Sequence, residues 1–269
     1  MRRSYFEQYR GAGRFGDFVW TAVYERGELE EGTPLWEDAY AVAREAMLRA
    51  RENVAKIIAF LERQGYFFFG PIPNDDGRPG EPWLPPGPAT SEQLQRLRAL
   101  VGPLPLSLHA WWEIVGSVSL QGVFDDARGK GDDPRGWSLP MNDPLYVDPL
   151  EYALQQVEEQ LADGADPSGP DGLLIDLAPD LYHKSHVSGG APYAVRLPHG
   201  RIDTPLLNVR ILLPVPQEAQ RPYTEVGTSE TFVEYLRRSF QWAGFPGFAF
   251  LPDPQMERLR PLFAKVLPI

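Results

Sequence analysis

Two carboxylates and two imidazoles follow one another within residues 176–186, and side chains of these types could bind zinc. They are Asp176, Asp180, His183 and His186, of which the last three are spaced by three residues. A carboxylate with two imidazoles would hold zinc and leave a position for water, as in a metal-dependent hydrolase. A proline precedes these three residues and a glycine pair follows them, so there is little room for a helix, and the spacing is not that of HExxH. We therefore predict no metal and no cofactor, and a hydrolase that uses Asp180, His183 and His186 is the alternative.

Other arrangements that carry catalysis are missing from the sequence. No serine lies in a GxSxG motif, which presents the nucleophile of many hydrolases. The chain has no cysteine, which excludes a cysteine nucleophile, a disulfide framework and cysteine-bound zinc. Adjacent acids in polar segments are typical of solvated turns and not of a tuned acid and base. We therefore predict that the protein is not an enzyme.

The acidic residues are concentrated in one part of the chain. The formal net charge is −11, and residues 125–180 hold 14 acidic and three basic side chains, so this acidic window accounts for the whole excess. Nucleic-acid binding needs a concentrated basic face, so we exclude a nucleic-acid ligand. The acidic window favours a basic protein partner, and the alternative is an ordinary solvated surface that aids solubility. The candidate partner-binding residues are Asp125, Asp126, Asp132, Asp133 and Trp137.

Length and composition are those of a folded protein with one large core. A chain of 269 residues with 43% hydrophobic and 12% aromatic residues has enough apolar surface to bury. Two arginines near the N-terminus are not followed by the apolar stretch of a secretory signal. No uncharged apolar run approaches the ~20 residues of a membrane span. We expect a cytoplasmic protein without a membrane segment, and the oligomeric state stays open.

The first third of the chain predicts one long helix and little other regular structure. Residues 1–35 are interrupted by glycines and predict an irregular, loosely attached N-terminal extension. From Trp36 to Leu61 apolar residues recur every three or four positions, which predicts a long amphipathic helix. Residues 66–69 predict a buried strand. Residues 70–89, with seven prolines and four glycines, predict a loop without regular structure.

Residues 90–269 are predicted to form the core of a single domain that spans residues 36–269. Five helices are expected here, and their first residues or caps are Thr90 (with Gln93 as its capping partner), Leu104, Asp148, Thr228 or Ser229, and Asp253. Strands are expected around residues 118–123, 173–177, 193–197 and 207–213. Because helices precede and follow the strands, we predict an α+β fold with a mixed, largely antiparallel sheet flanked by helices.

The segment LPLSLHAWWEIVGSVSLQG, residues 104–122, is the most distinctive in the chain. It combines a Leu-Pro entry, an amphipathic helix, a glycine stop and a strand. In this it resembles the SMI1/KNR4 or SUKH family, in which a proline-started helix with a bulky aromatic pair ends at two glycines. Trp111 and Trp112 take the aromatic positions and Gly116 the first glycine, whereas Ser117 stands at the second. Since adjacent helix positions point in different directions, we expect one of the two tryptophans to face the core.

Two later segments extend the resemblance, which covers residues 90–252. Residues 178–193 resemble the central hairpin region of bacterial SUKH-like sequences, and residues 231–236, TFVEYL, resemble their late helix. Many members of the family are binding proteins, especially immunity proteins that neutralise toxins. The resemblance therefore implies a non-enzymatic, protein-binding immunity protein whose partner is a basic toxin domain. A regulatory scaffold, as in fungal relatives, is the other function that the resemblance implies.

Overall fold

The structure is a computed structural model that describes residues 3–70, 80–124, 143–167, 169, 172–178, 193–207, 210–214, 223–227, 230–249 and 256–269. In these ranges helices are combined with short antiparallel strands. This confirms the predicted α+β class. No helix in these ranges has both the length and the apolar character that crossing a bilayer requires.

The helices make up most of the described structure. They are α1 (Tyr5–Ala12), α2 (Gly16–Tyr24), α3 (Pro34–Arg63), α4 (Thr90–Val101), α5 (Leu106–Ile114), α6 (Leu150–Ala162), α7 (Phe232–Gln241) and α8 (Met256–Phe263). α3 begins where the Thr33 side chain accepts a hydrogen bond from the Trp36 N–H and Pro34 takes the first position, which favours helix initiation. Its apolar face is buried and packs on α5. The long helix predicted from periodicity is thus confirmed.

The strands are short and pair in small sheets. They are β1 (Tyr66–Phe68), β2 (Trp83–Leu84), β3 (Ser117–Ser119), β4 (Gly122–Phe124), β5 (Tyr146–Val147), β6 (Leu173–Ala178), β7 (Tyr193–Leu197), β8 (Pro205–Leu207), β9 (Arg210–Pro214), β10 (Tyr223–Gly227) and β11 (Glu230–Thr231). β1 pairs with β4, β9 pairs with β10, and β3 lies between β2 and β5. The largest sheet has the order β11-β8-β7-β6. Every pair among these strands is antiparallel.

The sheet topology both confirms and corrects the predicted strands. β6 and β7 form at the expected positions and pair with each other, with Leu173 opposite Leu197. The strand predicted at residues 118–123 is divided into β3 and β4, and the one at residues 207–213 into β8 and β9, with the two parts in different sheets. The predicted loop also contains β2, because Trp83 pairs with Val118. These corrections depend on pairing partners that are distant in sequence, which local patterns do not reveal.

The N-terminal residues fold onto the core, so the expectation of an irregular, loosely attached extension is wrong for the described part of residues 1–35. Ser4 and Glu7 form a capping box at the start of α1. Gly13 has a φ of 53°, which suits glycine and lets the chain pass from α1 into α2 through a short 3-10 turn. Tyr9 and Trp20 are buried in the main core. The glycines therefore separate two helices that are held in place by their aromatic side chains.

α5 lies at the centre of the core, and both of its tryptophans face inward. Trp111 is 0% exposed and Trp112 is 1% exposed. Trp111 packs edge-on against Phe232 of α7, with ring centroids 5.6 Å apart. The indole N–H of Trp112 donates a hydrogen bond to the carbonyl oxygen of Asp148, 3.4 Å away. The prediction that only one of the two tryptophans faces the core is therefore wrong. Both are buried because other elements cover α5 on more than one side.

Gly116 stops α5 for a reason that the structure makes explicit. Its φ is 90°, and a Cβ at this position would lie 2.2 Å from the carbonyl oxygen of Leu84 in β2. A side chain would therefore collide with the neighbouring backbone and strain the turn. The predicted glycine stop is confirmed.

Two predicted helix caps are wrong, although the helices they were meant to open exist. Thr90 is the first residue of α4, Ala89 takes the cap position, and no side chain caps it. Pro149 takes the cap position of α6, and the Asp148 side chain forms no capping hydrogen bond. The main-chain N–H of Asp148 instead donates to the carbonyl of Leu177, 2.8 Å away. Asp148 is thus positioned by β6, which a search for local caps does not consider.

α7 begins at a different cap from the one predicted. Thr231 caps it and forms a capping box with Glu234, whereas the predicted caps Thr228 and Ser229 lie outside the described residues. Glu234 is the acidic partner three residues on that the capping box requires, and this selects Thr231. Asp253, predicted to open the last helix, also lies outside the described residues.

Candidate functional site

The residues predicted to bind a partner are not among those that the structure describes. Asp125, Asp126, Asp132, Asp133 and Trp137 all lie in residues 125–142, outside the described ranges. The described part of the acidic window begins at residue 143 and contains α6. The candidate surface is therefore built from this part.

α6 exposes one row of polar side chains along its length. Glu151, Gln155, Glu159 and Asp163 are all exposed and follow one another at steps of four residues, which places them on one side of the helix. The opposite side is apolar and buries Leu150, Ala153, Leu154 and Val157. The same periodicity that attaches α6 to the core thus presents an acidic row to solvent, which we call the α6 face.

The acids of the α6 face are not neutralised by neighbouring bases. Within the described ranges Glu151, Glu159 and Asp163 form no ion pair, and Glu159 accepts only a hydrogen bond from the Gln155 amide, at 2.8 Å. Several acids elsewhere are paired, as in Glu113 with Arg44, Glu158 with Arg96 and Glu230 with Arg238. The negative charge of the α6 face is therefore available to a partner.

Two other acids of the window are buried and cannot present charge to a partner. Asp143 is 0% exposed, and its carboxylate accepts a hydrogen bond from the Tyr193 hydroxyl at 2.7 Å. Asp148 is 3% exposed, and its Oδ1 has no hydrogen-bond partner. The alternative of an ordinary solvated surface therefore does not hold for these two residues, because the core encloses them.

Burial also changes how Asp148 and Asp176 ionise. The pKa of Asp148 is raised to about 7, mainly because burial desolvates the carboxylate; a hydrogen bond with Tyr146 opposes this shift, and the nearby Asp176 carboxylate adds to it. Burial raises the pKa of Asp176 as well. Two neighbouring carboxylates with raised pKa values resist being charged together. Asp148 is also enclosed by the core, so it lies away from the surface that a partner would contact.

The structure does not test the candidate metal ligands of the alternative hydrolase. Asp180, His183 and His186 lie in residues 179–192, outside the described ranges, and Asp176 in β6 is the one member of the set that is described. Among the described residues, no three side chains of metal-binding type come close enough to hold an ion. The alternative of a hydrolase at this position stays a prediction.

A second polar site, which the sequence reasoning missed, lies on the outer side of α5. His109 and Glu113 are four residues apart and half-buried on a helix that is otherwise buried. Together with α4 and the Pro86–Pro88 loop they line a cavity of about 320 Å³. A polar pair at i and i+4 on an apolar helix is the signal that could have revealed it.

Side chains from α3 hold Glu113 in place. Its Oε2 accepts a hydrogen bond from the Tyr40 hydroxyl at 2.5 Å and contacts Arg44 Nη1 at 2.5 Å. Burial alone would raise the pKa of Glu113, but these two partners lower it below its ordinary value. Glu113 is therefore a carboxylate at neutral pH. The other oxygen, Oε1, has no partner among the described residues.

His109 is neutral at physiological pH and has a free hydrogen-bonding edge. Its ring stacks on Tyr40 with centroids 5.2 Å apart, and neither ring nitrogen forms a hydrogen bond with a described residue. Burial and the positive charge of Arg98 lower the pKa of His109. Because Glu113 bonds to Tyr40 and Arg44 and not to His109, the two do not form the oriented base and carboxylate of a catalytic dyad. The arrangement suits binding better than proton transfer.

Comparisons with known proteins give no relative for this chain. No protein family, no curated protein and no solved structure matches it.

Proposed function

We propose that this chain is a non-enzymatic protein-binding domain, an immunity protein of the SMI1/KNR4 kind that neutralises a bacterial toxin by binding it. The proposal begins from the resemblance at residues 104–122 and at Thr231–Leu236. In the structure these segments are α5 with β3 and the start of α7, which pack on each other through Trp111 and Phe232. The two resembling segments therefore lie side by side in the core, which supports the proposal.

The observation that carries the choice of partner is the unneutralised charge of the α6 face. Three exposed acids on one side of a helix create a negative field that extends about a Debye length, roughly 8 Å in physiological salt. Such a field speeds the association of a basic protein and selects against acidic ones. A basic toxin domain that approaches α6 is the partner that this charge fits.

The proposal is tested with the protein encoded by the neighbouring gene, which is the expected toxin. Association and dissociation rates are measured at several salt concentrations for the parent chain and for Glu151→Gln/Glu159→Gln/Asp163→Asn. We expect slower association and a weaker salt dependence for the triple variant, with an unchanged melting temperature. Exposed charges outside the buried centre of an interface act mainly on the association rate.

The matched control changes the same number of charges elsewhere. Glu25, Glu37 and Glu62 are exposed; Glu25 follows α2, and the other two lie on α3. Their change to glutamine should leave association nearly as in the parent. If both triple variants slow association equally, net charge and not the α6 face is responsible. If the neighbouring protein does not bind at all, the immunity function is refuted.

A further inference from the structure

The cavity beside α5 is lined by two oppositely charged side chains that do not pair with each other. Its lining includes Pro86, Leu94, Gln95, Arg98, His109 and Glu113. Arg98 lies on α4 and Glu113 on α5, and the two form no ion pair with each other. Oppositely charged side chains on one cavity normally close on each other unless something holds them apart.

Here each charge is held from outside the cavity. Arg98 pairs with Glu31, in the segment before α3. Glu113 is bonded through Oε2 to Tyr40 and Arg44 of α3. These outer contacts leave Oε1 of Glu113 and the remaining N–H groups of Arg98 unpaired in the described structure. The cavity therefore has one fixed acceptor and one fixed donor, and fixing them in advance lowers the entropic cost of binding.

The charges around the cavity are balanced, and this decides what kind of ligand fits. Arg44 and Arg98 are opposed by Glu31 and Glu113, so a ligand with a single charge would be attracted by one wall and repelled by the other. A ligand with both charges gains at both walls. His109 stands among these charges with a free ring edge and can donate or accept one hydrogen bond.

We propose that this cavity binds a free α-amino acid with an apolar side chain. The ammonium group donates to Glu113 Oε1, the carboxylate accepts from Arg98, and the side chain packs on Leu94 and the Pro86–Pro88 loop. A volume of about 320 Å³ is at the lower end of the range for small-molecule sites. This site is separate from the α6 face, so it stands or falls independently of the proposed immunity function.

The test uses three probes that share the leucine side chain and differ in which of the two charged groups they carry. Leucine carries both charges, leucinamide keeps only the ammonium group, and N-acetylleucine keeps only the carboxylate. Each is titrated into the full chain and followed by calorimetry and by NMR shifts. We expect saturable binding of leucine that is at least about tenfold tighter than the binding of leucinamide or of N-acetylleucine. Each of these two loses one charged hydrogen bond, and such a loss weakens binding by about tenfold or more. Equal binding of the three probes, or no saturation by leucine, overturns the proposal.

Variants locate the binding. Arg98→Gln and Glu113→Gln should each weaken leucine binding by about tenfold or more. Arg96→Gln is the control, because Arg96 lies on the same helix and pairs with Glu158 instead. Arg98→Gln carries the test if Glu113→Gln lowers the melting temperature, since Arg98 holds only one surface ion pair. Leucine binding that is unchanged in Arg98→Gln would show that the amino acid does not bind in this cavity.

Discussion

The indole N–H of Trp20 donates a hydrogen bond to the Asp203 carboxylate, 3.3 Å away, across 183 residues of sequence. The same fully buried carboxylate accepts from the Ser107 hydroxyl at 2.8 Å and from the main-chain N–H groups of Thr204 and Val233 at 2.9 and 3.3 Å. One side chain thus joins α2, α5 and the start of α7. Burial raises the pKa of Asp203 to about 6, and the hydrogen bonds limit that rise. This junction makes the N-terminal helices part of the core.

Removal of this junction should destabilise the protein. Asp203→Ala leaves four buried donors without an acceptor, and we expect the free energy of unfolding to fall by more than about 3 kcal/mol. Urea denaturation at pH 7 measures it. Asp163→Ala, an exposed acid at the end of α6, should change stability by less than about 0.5 kcal/mol. Equal effects of the two changes would mean that Asp203 is not a structural junction.

Both tryptophans of α5 should prove essential for stability. Trp111→Ala and Trp112→Ala each leave a large void in a closed core, and we expect each to lower the free energy of unfolding by about 3 to 5 kcal/mol. The two contact different neighbours, Phe232 and the carbonyl of Asp148. A urea midpoint that stays at the parent value in either variant would contradict the burial of that tryptophan.

Asp148 should make the protein less stable as pH rises. Its pKa is about 7 in the folded chain, against an ordinary value of 3.8, so the folded state binds this proton more tightly than the unfolded state does. The free energy of unfolding therefore falls between about pH 4 and pH 7 because of this group. Asp148→Asn should stabilise the protein at pH 8 by about 2 to 4 kcal/mol and have little effect at pH 4. Urea unfolding at both pH values is the measurement, and a variant that is less stable than the parent at pH 8 would refute it.

His199 should make the protein less stable as pH falls, whereas Asp148 does so as pH rises. Both of its ring nitrogens are buried without a hydrogen-bond partner. Burial and the positive charge of Arg201 lower the pKa of His199 to about 4 from an ordinary 6.5, although the negative charge of Glu28 opposes this shift. The unfolded chain therefore gains this proton first, and stability is lost as pH falls from about 6.5 to about 4. His199→Gln should reduce this loss, measured as the difference in melting temperature between pH 7 and pH 4.5. An identical difference in parent and variant would exclude His199 as the source.

The purified protein should contain no stoichiometric zinc. The spacing of Asp180, His183 and His186 is poor for a metal site, so a chelator should not shift the melting temperature. Elemental analysis measures the metal content directly. One zinc per chain that disappears in His183→Ala would favour the hydrolase instead.

The sequence predicted most helices because their signals are local. The three and four residue periodicity of α3 and the buried stripe of α6 follow from the geometry of a single helix, as does the Gly116 stop. The polar side of α6 could be anticipated in the same way, from polar residues spaced four residues apart. Caps were less predictable, since several serines, threonines and aspartates compete near each helix start. Asp148 shows this, because its backbone bonds to β6 and its side chain is enclosed.

The sequence by itself determined the α+β class, the central aromatic helix and the excess of acid between residues 125 and 180. Tertiary structure decided which of those acids remain exposed, since Asp143 and Asp148 are buried by elements that are distant in the chain. It also decided that His109 and Glu113 share a cavity with Arg98, because that cavity exists only where α4 and α5 pack. Local patterns report which side of an element is apolar, whereas the identity of what covers that side depends on contacts between segments far apart in sequence.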